Sequence, residues 1–472
     1  MRLEITAATL QKELGFEVGN HCHIPANLPN LIATDSRQIQ DGQWFWPIIG
    51  ENFNGHEFIE QAMAKGACGF TYQKDQAARI GLTDDLRAKG MAVSNSLQGL
   101  QDLARFWRKL ATNTKIFGIT GSSGKTTAKQ VLAHTLQAIA PTLSTRSSFN
   151  NEIGVPLTLC ALTHEHHYAV VEMGARHAGD IRFLCDIAIP DVALLLNVGV
   201  AHLGEFGSLK TLRQTKLEIF TSTPTETVAV CPSWDQELLQ VAKETHSVVV
   251  SFGPNVEASV QLLQSKALAD GRQLVELMID GKNFDVTLPF YHESLPINVC
   301  AILACGYAMH LPIEDMLASL ASFRGVPRRF EIHRNANRLI IDDSYNANPE
   351  SMLAGLRSLQ KGFAEYEKIL ILGDMLELGT ESAQSHRDIG KVCQEIAPKL
   401  LVTVGKESLH ISQSAKEHGM DASKICHYEN VEELRQRMNN IFASGNLIYV
   451  KASNGIKLYK VVDDLAKLGA ET

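Results

Sequence analysis

The sequence predicts an α/β fold with three parts: a small α/β module, a central parallel sheet and a second doubly wound sheet. The chain has 472 residues, more than one hydrophobic core usually organises, so two to four domains are expected. Two regions alternate apolar runs with helical segments, which is typical of parallel sheets covered on both faces. A region rich in turns and short strands precedes them. We place the three domains at residues 1–95, 96–323 and 324–472.

The first module mixes turns with short strands and ends before an amphipathic helix. Residues 32–37, the aromatic run Trp44-Phe45-Trp46 and the pair Gly55-His56 all belong to it. Residues 97–110 then place five apolar side chains on one helical stripe, namely Leu100, Leu103, Ala104, Trp107 and Leu110. The domain boundary is expected just before this helix.

The two sheets are predicted from continuous apolar runs separated by helical segments. The runs of the central region are residues 116–120, 168–172 and 192–196. The pattern starts again after Arg324, with runs at residues 339–341, 369–372, 400–404 and 447–450. Runs of this length that are apolar throughout fit strands buried on both faces.

Composition and charge exclude several classes of protein. A net charge of −8 does not favour non-specific binding to nucleic acid, so anionic ligands would have to be held by local positive groups. The amino terminus has no apolar core of signal-peptide type, and no run approaches the roughly 20 apolar residues of a spanning helix. We therefore expect a cytoplasmic protein that is not inserted in a membrane. The nine cysteines include no Cys-x-x-Cys pair and are interpreted as reduced core residues.

A phosphate-binding loop is the firmest site in the sequence. After the strand that ends at Thr120, the chain reads Gly121-Ser122-Ser123-Gly124-Lys125-Thr126-Thr127, and a helical stretch over residues 128–139 follows. Backbone N–H groups of such a loop and the positive end of the helix can cradle a triphosphate. Lys125 would reach the β and γ phosphates, and Thr126 would bind Mg²⁺. The alternative is an ordinary glycine turn, because Ile119 stands where the commonest spacing has its leading glycine.

Two further residues follow strands of the same sheet. Glu172 ends one strand and His202 follows the next, so both are expected at the carboxyl ends of strands near the phosphate loop. A carboxylate is a natural Mg²⁺ ligand, whereas an imidazole is a rarer one. Lys216 lies on a predicted helix after His202. A desolvated lysine there could lose its proton, but spacing alone indicates a solvated surface residue.

Together these motifs resemble the Mur ligase family, and the resemblance spans nearly the whole chain. The most discriminating segment is Asp343-Ser344-Tyr345-Asn346-Ala347-Asn348-Pro349, which favours the branch that adds D-alanyl-D-alanine to UDP-N-acetylmuramoyl-tripeptide. The other matching positions are Asp35-Ser36-Arg37, Asn54-Gly55-His56, the loop from Thr120 to Thr127, Asn150-Asn151 with the segment that follows them, Glu172-Met173-Gly174, Ala201-His202-Leu203, Lys216, Asn298, Arg329 and Gly373-Asp374-Met375.

The resemblance implies an ATP-dependent ligase of peptidoglycan synthesis with one task for each domain. The first domain would recognise the UDP end of the substrate, the second would bind ATP, and a Rossmann-like third would bring the dipeptide. Lys125, Glu172, His202 and Lys216 would be catalytic, with Lys216 carbamylated so that it helps Thr126, Glu172 and His202 hold two Mg²⁺ ions. Asn298, Arg329 and Asp343 would contact the nucleotide. Substrate contacts would come from Ser36, Arg37, Asn54, Gly55, His56, Asn150, Asn151, Tyr345, Asn346 and Asn348.

Departures from the family pattern leave some assignments open. Ser294 and Leu295 replace the usual His-Asn pair before Asn298, so the contacts to adenine are less firmly implied than those to phosphate. Arg328 stands in place of a common glycine, and Asn454 in place of a common arginine. Alternatives are another amino-acid-adding Mur ligase, a folylpolyglutamate-type ligase, or a nucleotide-switched regulator. The sequence favours a monomer without establishing it, and it leaves open the role of His386 and the choice between diaminopimelate and lysine in the acceptor.

Overall fold

The computed structural model of the protein describes residues 3–146, 148–199, 206, 208–335, 338–438 and 447–468. Three sheets of five, nine and six strands follow one another along the chain, and helices cover them. The predicted α/β class is therefore confirmed. We call the parts built on these sheets the first, second and third units.

The first unit holds a small mixed sheet. Its strands are β1 (Glu17–Val18), β2 (Ile32–Ala33), β3 (Trp44–Phe45), β4 (Gly69–Gln73) and β5 (Met91–Val93), in the order β1-β5-β4-β3-β2. Its helices are α1 (Ala7–Leu14), α2 (Ile59–Ala64), α3 (Gln76–Arg79) and α4 (Asp84–Lys89). Only β1 runs antiparallel to its neighbour. The aromatic run forms part of the core, where Trp44 and Trp46 are fully buried.

Helix α5 (Ser96–Leu110) connects the first unit to the second. It begins at Asn95, whose side chain accepts a hydrogen bond from the Gln98 N–H, and it packs against two helices of the second unit. Four members of the predicted stripe are buried, but Leu110 is 40% exposed. That part of the prediction is wrong because the helix ends at Leu110 and the chain turns so that Ala111 enters the core instead.

The second unit is a nine-stranded sheet that is parallel over most of its width. Its strands are β6 (Lys115–Thr120), β7 (Thr142–Ser144), β8 (Tyr168–Glu172), β9 (Val192–Leu195), β10 (Val228–Pro232), β11 (Val249–Gly253), β12 (Val260–Ala267), β13 (Gln273–Ile279) and β14 (Lys282–Leu288). The order is β14-β13-β12-β11-β10-β9-β6-β8-β7, and the antiparallel pairings lie at one edge, where β13 pairs with both β12 and β14. All three predicted strands occur, and β6 lies in the middle of their group.

Helices cover both faces of this sheet. They are α6 (Lys125–Gln137), α7 (Gly154–Cys160), α8 (Asp180–Ala188), α9 (Leu209–Thr221), α10 (Gln236–Thr245), α11 (Leu295–Ala308) and α12 (Ile313–Leu320). One face shares a hydrophobic core with the first unit, while the other forms a core with α6, α11 and α12. Helix α6 begins at Lys125, three residues before the predicted start, so the helix follows the phosphate loop directly.

The third unit is the predicted second doubly wound sheet. Its strands are β15 (Glu331–Asn335), β16 (Arg338–Asp343), β17 (Lys368–Gly373), β18 (Leu400–Val404), β19 (Ile425–Tyr428) and β20 (Leu447–Lys451), in the order β15-β16-β20-β17-β18-β19. Its helices are α13 (Pro349–Gly362), α14 (Ser382–Ile396), α15 (Leu409–Glu417), α16 (Val431–Gln436) and α17 (Tyr459–Leu468). Only β15 is antiparallel, and each face has its own core.

Two expectations from composition can be compared with this fold. Within the described ranges, no helix combines the length and the apolar character needed to cross a membrane. All nine cysteines are free, and six of them are buried. The interpretation of the cysteines as reduced core residues therefore holds for most of them.

Candidate active site

A cavity of about 1160 Å³ lies where the three units meet. The parallel strands β6, β8 and β9 end at this cavity, as the carboxyl ends of strands do in ligand-binding α/β sheets. The second unit contributes the phosphate loop and Glu172, whereas the first contributes Thr34 and Glu51. Arg329 and Asp343 enter from the third unit. A ligand in this cavity would contact all three units at once.

The phosphate loop donates hydrogen bonds to Asn197, which lies just after the neighbouring strand β9. The Asn197 Oδ1 accepts the N–H groups of Ser122 at 3.1 Å and Ser123 at 3.0 Å. Gly124 has φ of +79°, a conformation that favours glycine, and it precedes the first residue of α6. Thr120 donates its hydroxyl hydrogen to the Met173 carbonyl, which joins the loop's start to the end of β8. This is the strand, loop and helix arrangement that a phosphate cradle needs.

Lys125 lies folded onto its own loop. Its Nζ donates to the Gly121 carbonyl at 2.6 Å and to the Ser122 carbonyl at 3.4 Å. Burial lowers the pKa of the Lys125 ammonium, and the nearby Glu172 carboxylate opposes that effect. A bound polyphosphate would offer this ammonium stronger acceptors than two carbonyl groups do.

Glu172 has the features of a metal-binding carboxylate. Its side chain is 1% exposed, and Oε1 accepts hydrogen bonds from Asn150 Nδ2 at 2.8 Å and Thr126 Oγ1 at 3.2 Å. Oε2 lies 3.5 Å from Lys129 Nζ but has no hydrogen-bond partner among the residues described. A buried carboxylate oxygen with spare acceptor capacity beside a threonine hydroxyl is the oxygen donor set that Mg²⁺ prefers. The residues present therefore fit this ion.

Lys216 is buried on α9 with only 1% of its surface exposed. The interpretation as a surface lysine, which came from spacing alone, is wrong because α9 packs against β9 and α8 and Lys216 is among the residues that this packing buries. Burial, and secondly the charge of Lys125, lower the pKa of Lys216 to about 7. A large fraction of this amine is therefore neutral near pH 7, and only the neutral amine is a nucleophile. His202, predicted to lie nearby, falls outside the described residues.

The third unit brings Arg329 to the phosphate loop. Its Nη2 donates to Thr126 Oγ1 at 2.9 Å, and its guanidinium carbon lies 4.2 Å from the centre of the Tyr345 ring. The Tyr345 hydroxyl in turn donates to Ser148 Oγ at 2.7 Å. Arg328 and Phe330, on either side of Arg329, both have φ of +59°. The position of Arg328 thus has the left-handed backbone for which the family's glycine is suited.

Asp343 is held from within its own unit. Its Oδ2 accepts hydrogen bonds from the Tyr449 hydroxyl at 2.9 Å and from Lys451 Nζ at 2.7 Å. Lys451 also donates to the Asn346 carbonyl at 3.1 Å, so one lysine fixes both predicted contact residues. Lys451 was not predicted as a site residue, although it stands three residues before Asn454, where the family commonly has arginine.

Asn298 lies just after Ser294 and Leu295, which depart from the family pattern. Asn298 lies at the start of α11, and its Oδ1 would be 3.3 Å from a Cβ placed on Gly124, so its side chain borders the phosphate loop. Leu295 is buried, and the Ser294 N–H donates to Nδ1 of His292 at 3.2 Å. Burial lowers the pKa of His292 to about 4. His292 thus places a neutral imidazole on the cavity wall. This residue was not predicted from the sequence.

Besides Asn298, four asparagines selected from the sequence line the cavity, and two of them accept hydrogen bonds at the starts of helices. Asn348 accepts the Ser351 N–H at 2.8 Å at the start of α13, and Asn151 accepts the Gly154 N–H at 3.0 Å at the start of α7. Asn150 and Asn346 complete the set. Glu350 was missed: its Oε2 accepts a hydrogen bond from Ser123 Oγ at 3.3 Å, across 227 residues of sequence.

The selected residues of the first unit have partners within that unit. Asn54 Oδ1 accepts hydrogen bonds from the His56 N–H at 3.1 Å and from His56 Nδ1 at 2.8 Å, and His56 Nε2 accepts the Gln73 N–H at 3.0 Å. Ser36 donates to Gln61 at 3.2 Å, while Arg37 is exposed and pairs with Asp35 at 2.8 Å. None of the residues Ser36, Arg37, Asn54, Gly55 and His56 lines the cavity. Their contacts with substrate stay a prediction.

His56 gives a prediction about stability. Burial lowers the pKa of His56 to about 4, whereas the same histidine in an unfolded chain titrates near its usual pKa of 6.5. The unfolded state therefore binds more protons between these values, and stability falls as the pH drops from 6.5 to 4. His56→Gln should lower the free energy of unfolding at pH 7 by about 1–3 kcal/mol, because hydrogen bonds are lost. Between pH 7 and pH 4.5, however, the variant should lose less of its unfolding free energy than the parent does. Thermal unfolding at the two pH values checks this, and an equal decrease in unfolding free energy for both proteins would refute it.

His386 stabilises the loop that follows β17. It is fully buried, its Nε2 accepts the Met375 N–H at 3.0 Å, and its Nδ1 donates to the Ser382 carbonyl at 2.7 Å. Both ring nitrogens are thus used, and the residue does not line the cavity. This histidine therefore joins the loop after β17 to the start of α14 through its two ring nitrogens.

Comparisons with known proteins match all three units. The family model described as the Mur ligase middle domain matches residues 119–306, the Mur ligase glutamate ligase domain matches residues 328–454, and the Mur ligase family catalytic domain matches residues 30–108. The chain is 31% identical to the UDP-N-acetylmuramoyl-tripeptide–D-alanyl-D-alanine ligase of Bacillus subtilis, over 92% of both chains. It is also 31% identical to the ligase of that name from Escherichia coli, over 93% of this chain and 94% of that one.

Solved structures are similar over the same extent. The crystal structure of MurF from Acinetobacter baumannii is 31% identical with a TM-score of 0.80, over 92% of this chain and 93% of that chain. The structure of the MurF ligase from Thermotoga maritima in complex with ADP is 26% identical with a TM-score of 0.79, over 93% of this chain and 98% of that chain.

Proposed function

Because the chain belongs to the Mur ligase family, we propose that it is an ATP-dependent ligase that joins D-alanyl-D-alanine to UDP-N-acetylmuramoyl-tripeptide in cell-wall synthesis. The reaction runs through an acyl phosphate and releases ADP and phosphate. One observation carries the proposal: the phosphate loop and the buried Glu172 meet Arg329 of the third unit at one cavity. The buried Lys216 does not line the cavity, but it is close enough to the loop for the charge of Lys125 to lower its pKa. Relatives that match over nine-tenths of the chain have this activity in their names.

The residues of the cavity suit acyl-phosphate chemistry. Amide formation from a carboxylate needs a better leaving group than hydroxide, and phosphorylation by ATP provides it. Transfer of the γ-phosphoryl group depends on positioning and on neutralising charge more than on covalent help. Lys125 and Arg329, together with the N–H groups of the phosphate loop, supply positive charge for this step. The amine of the dipeptide then attacks the acyl carbon and expels phosphate.

Charge balance supports a modified Lys216. Among the described residues, Lys125, Lys129 and Arg329 all lie near the carboxylate of Glu172, and Asp343 also acts on Arg329, so three cationic side chains face two carboxylates. Reaction of the neutral Lys216 amine with carbon dioxide forms an N–C bond and releases a proton, which leaves a carbamate with one negative charge. Thr126, Glu172, His202 and carbamylated Lys216 would hold two Mg²⁺ ions. When bound, Mg²⁺ supplies charge neutralisation on the phosphates.

Each unit has a separate task in this proposal. The first unit recognises the UDP end of the acceptor, and Thr34 and Glu51 at the cavity support entry from that side. Asn298 and Arg329 contact the nucleotide, while Asp343 contacts its ribose. The third unit brings the dipeptide through Tyr345, Asn346 and Asn348. We further propose that the enzyme works as a monomer in the cytoplasm, where ATP and the nucleotide-linked peptide are available.

Phosphate release tests the function directly. The purified protein with ATP and Mg²⁺ should release phosphate only when the UDP-linked tripeptide and D-alanyl-D-alanine are both present. Release with a free amino acid but none with the dipeptide would assign the chain to another branch of the family. Slow hydrolysis that is indifferent to either peptide would instead indicate a nucleotide-switched regulator.

A further inference from the structure

Arg176 is a positive charge on the cavity wall that the proposed reaction does not use. In the described part of the chain, four basic residues line the cavity, two lysines and two arginines. Three of them contact other groups: Lys125 binds its own loop, Lys451 binds Asp343, and Arg329 binds Thr126. The guanidinium of Arg176 is exposed to the cavity and has no ion-pair or hydrogen-bond partner among the described residues. An arginine with this freedom is available to a ligand.

The loop that carries Arg176 is fixed relative to the reacting groups. The N–H groups of Arg176 and His177 both donate to Asp180 Oδ2 at 2.8 Å. The Gly179 N–H donates at 2.7 Å to Glu218, which lies two residues after Lys216 on α9. Arg176 also follows Glu172 by four residues, so their Cα atoms are within about 14 Å of each other. Because Glu172 and Arg176 line the same cavity, a ligand carboxylate beside Glu172 lies near the loop that carries Arg176.

We propose that Arg176 forms a subsite for a second carboxylate, carried by the side chain of the acceptor peptide's third residue. This inference rests on the proposed function, because it places that residue's reacting carboxyl group beside Glu172 and Lys216. The side chain of the same residue then extends along the wall that Arg176 occupies. Guanidinium binds a carboxylate through paired hydrogen bonds and repels an ammonium group. The subsite therefore selects a diamino dicarboxylic acid, such as diaminopimelate, over lysine.

Replacement of Arg176 tests the subsite with two acceptors. Arg176→Met should raise KM for the diaminopimelate peptide about tenfold while leaving kcat unchanged, since a contact made equally in the ground and transition states affects binding alone. KM for the lysine peptide should not rise. Arg176→Lys keeps the charge but not the paired donors. Its KM for the diaminopimelate peptide should therefore lie between that of the parent and that of Arg176→Met. Arg182→Met is the matched control, because Arg182 is exposed on α8 and does not line the cavity.

Two results would overturn the subsite. An equal rise in KM for both peptides would mean that Arg176 contacts a part common to both, and no rise for either would mean that it contacts neither. Calorimetric binding of the two nucleotide-linked peptides separates this question from the proposed function, because it needs no turnover. Binding of the diaminopimelate peptide that depends on Arg176, without ligation to the dipeptide, would support the subsite and refute the reaction.

Discussion

Lys125→Ala should reduce ligation by about a thousandfold or more, because it removes the cation that would contact the transferring phosphate. In the structure this ammonium is held by the carbonyl groups of Gly121 and Ser122, at the centre of the phosphate loop. The effect should appear in kcat as well as in KM for ATP, since charge on the phosphoryl oxygens is redistributed during transfer. Phosphate release and product formation, each measured with both peptides present, check the prediction.

Lys125→Ala is expected to be folded but inactive. Burial lowers the pKa of Lys125, so its charge is not what stabilises the folded chain, and the variant should keep a thermal midpoint close to that of the parent. Lys109→Ala is a suitable control, because Lys109 is exposed on α5 away from the cavity. If Lys125→Ala joined the two peptides as fast as the parent, the phosphate loop would have no part in the reaction and the proposed mechanism would fail.

The phosphate loop could be predicted from sequence because all its parts are contiguous. Strand β6, the glycine turn and α6 follow one another within residues 115–137, and each leaves a local pattern. The partners of the loop could not be predicted in this way. Asn197 and Glu350 reach it from the end of β9 and from α13, and only the packing of separate elements brings them there. Asn197 directly follows the apolar run of β9, and nothing local in the sequence indicates that its side chain would accept the loop's N–H groups.

Burial was the other property that local sequence did not reveal. Lys216 stands in a helix of mixed polarity, so its spacing resembles that of a solvated lysine, and only the packing of α9 removes it from water. Burial of His56 could not be predicted from its motif either. Its contact with substrate stays a prediction, while the structure shows that its ring nitrogens bind Asn54 and the Gln73 N–H inside the first unit. In both cases only the tertiary environment reveals that the side chain is buried.

Lys216→Ala should lose activity by about a hundredfold to a thousandfold, because the carbamate that balances the surrounding cations can no longer form. Short carboxylates such as acetate or propionate should restore part of the lost rate, since the missing side chain leaves space for a small anion beside Glu172. The parent should gain nothing from the same salts. Rescue that fails with every small carboxylate would argue that Lys216 acts through its amine and not through a carboxylate built on it.

The pH dependence of the parent follows from the same chemistry. Lys216 has a pKa of about 7, lower than the usual value because the side chain is buried, so its reactive neutral form predominates above pH 7 and is lost below it. In buffers freed of carbon dioxide, activity should therefore fall, and added bicarbonate should restore it more readily at pH 8 than at pH 6. A carbamate signal from isotopically labelled bicarbonate should appear in the parent and be absent in Lys216→Ala. Activity that is independent of carbon dioxide, with no such signal, would show that the positive charge around Glu172 is balanced in another way.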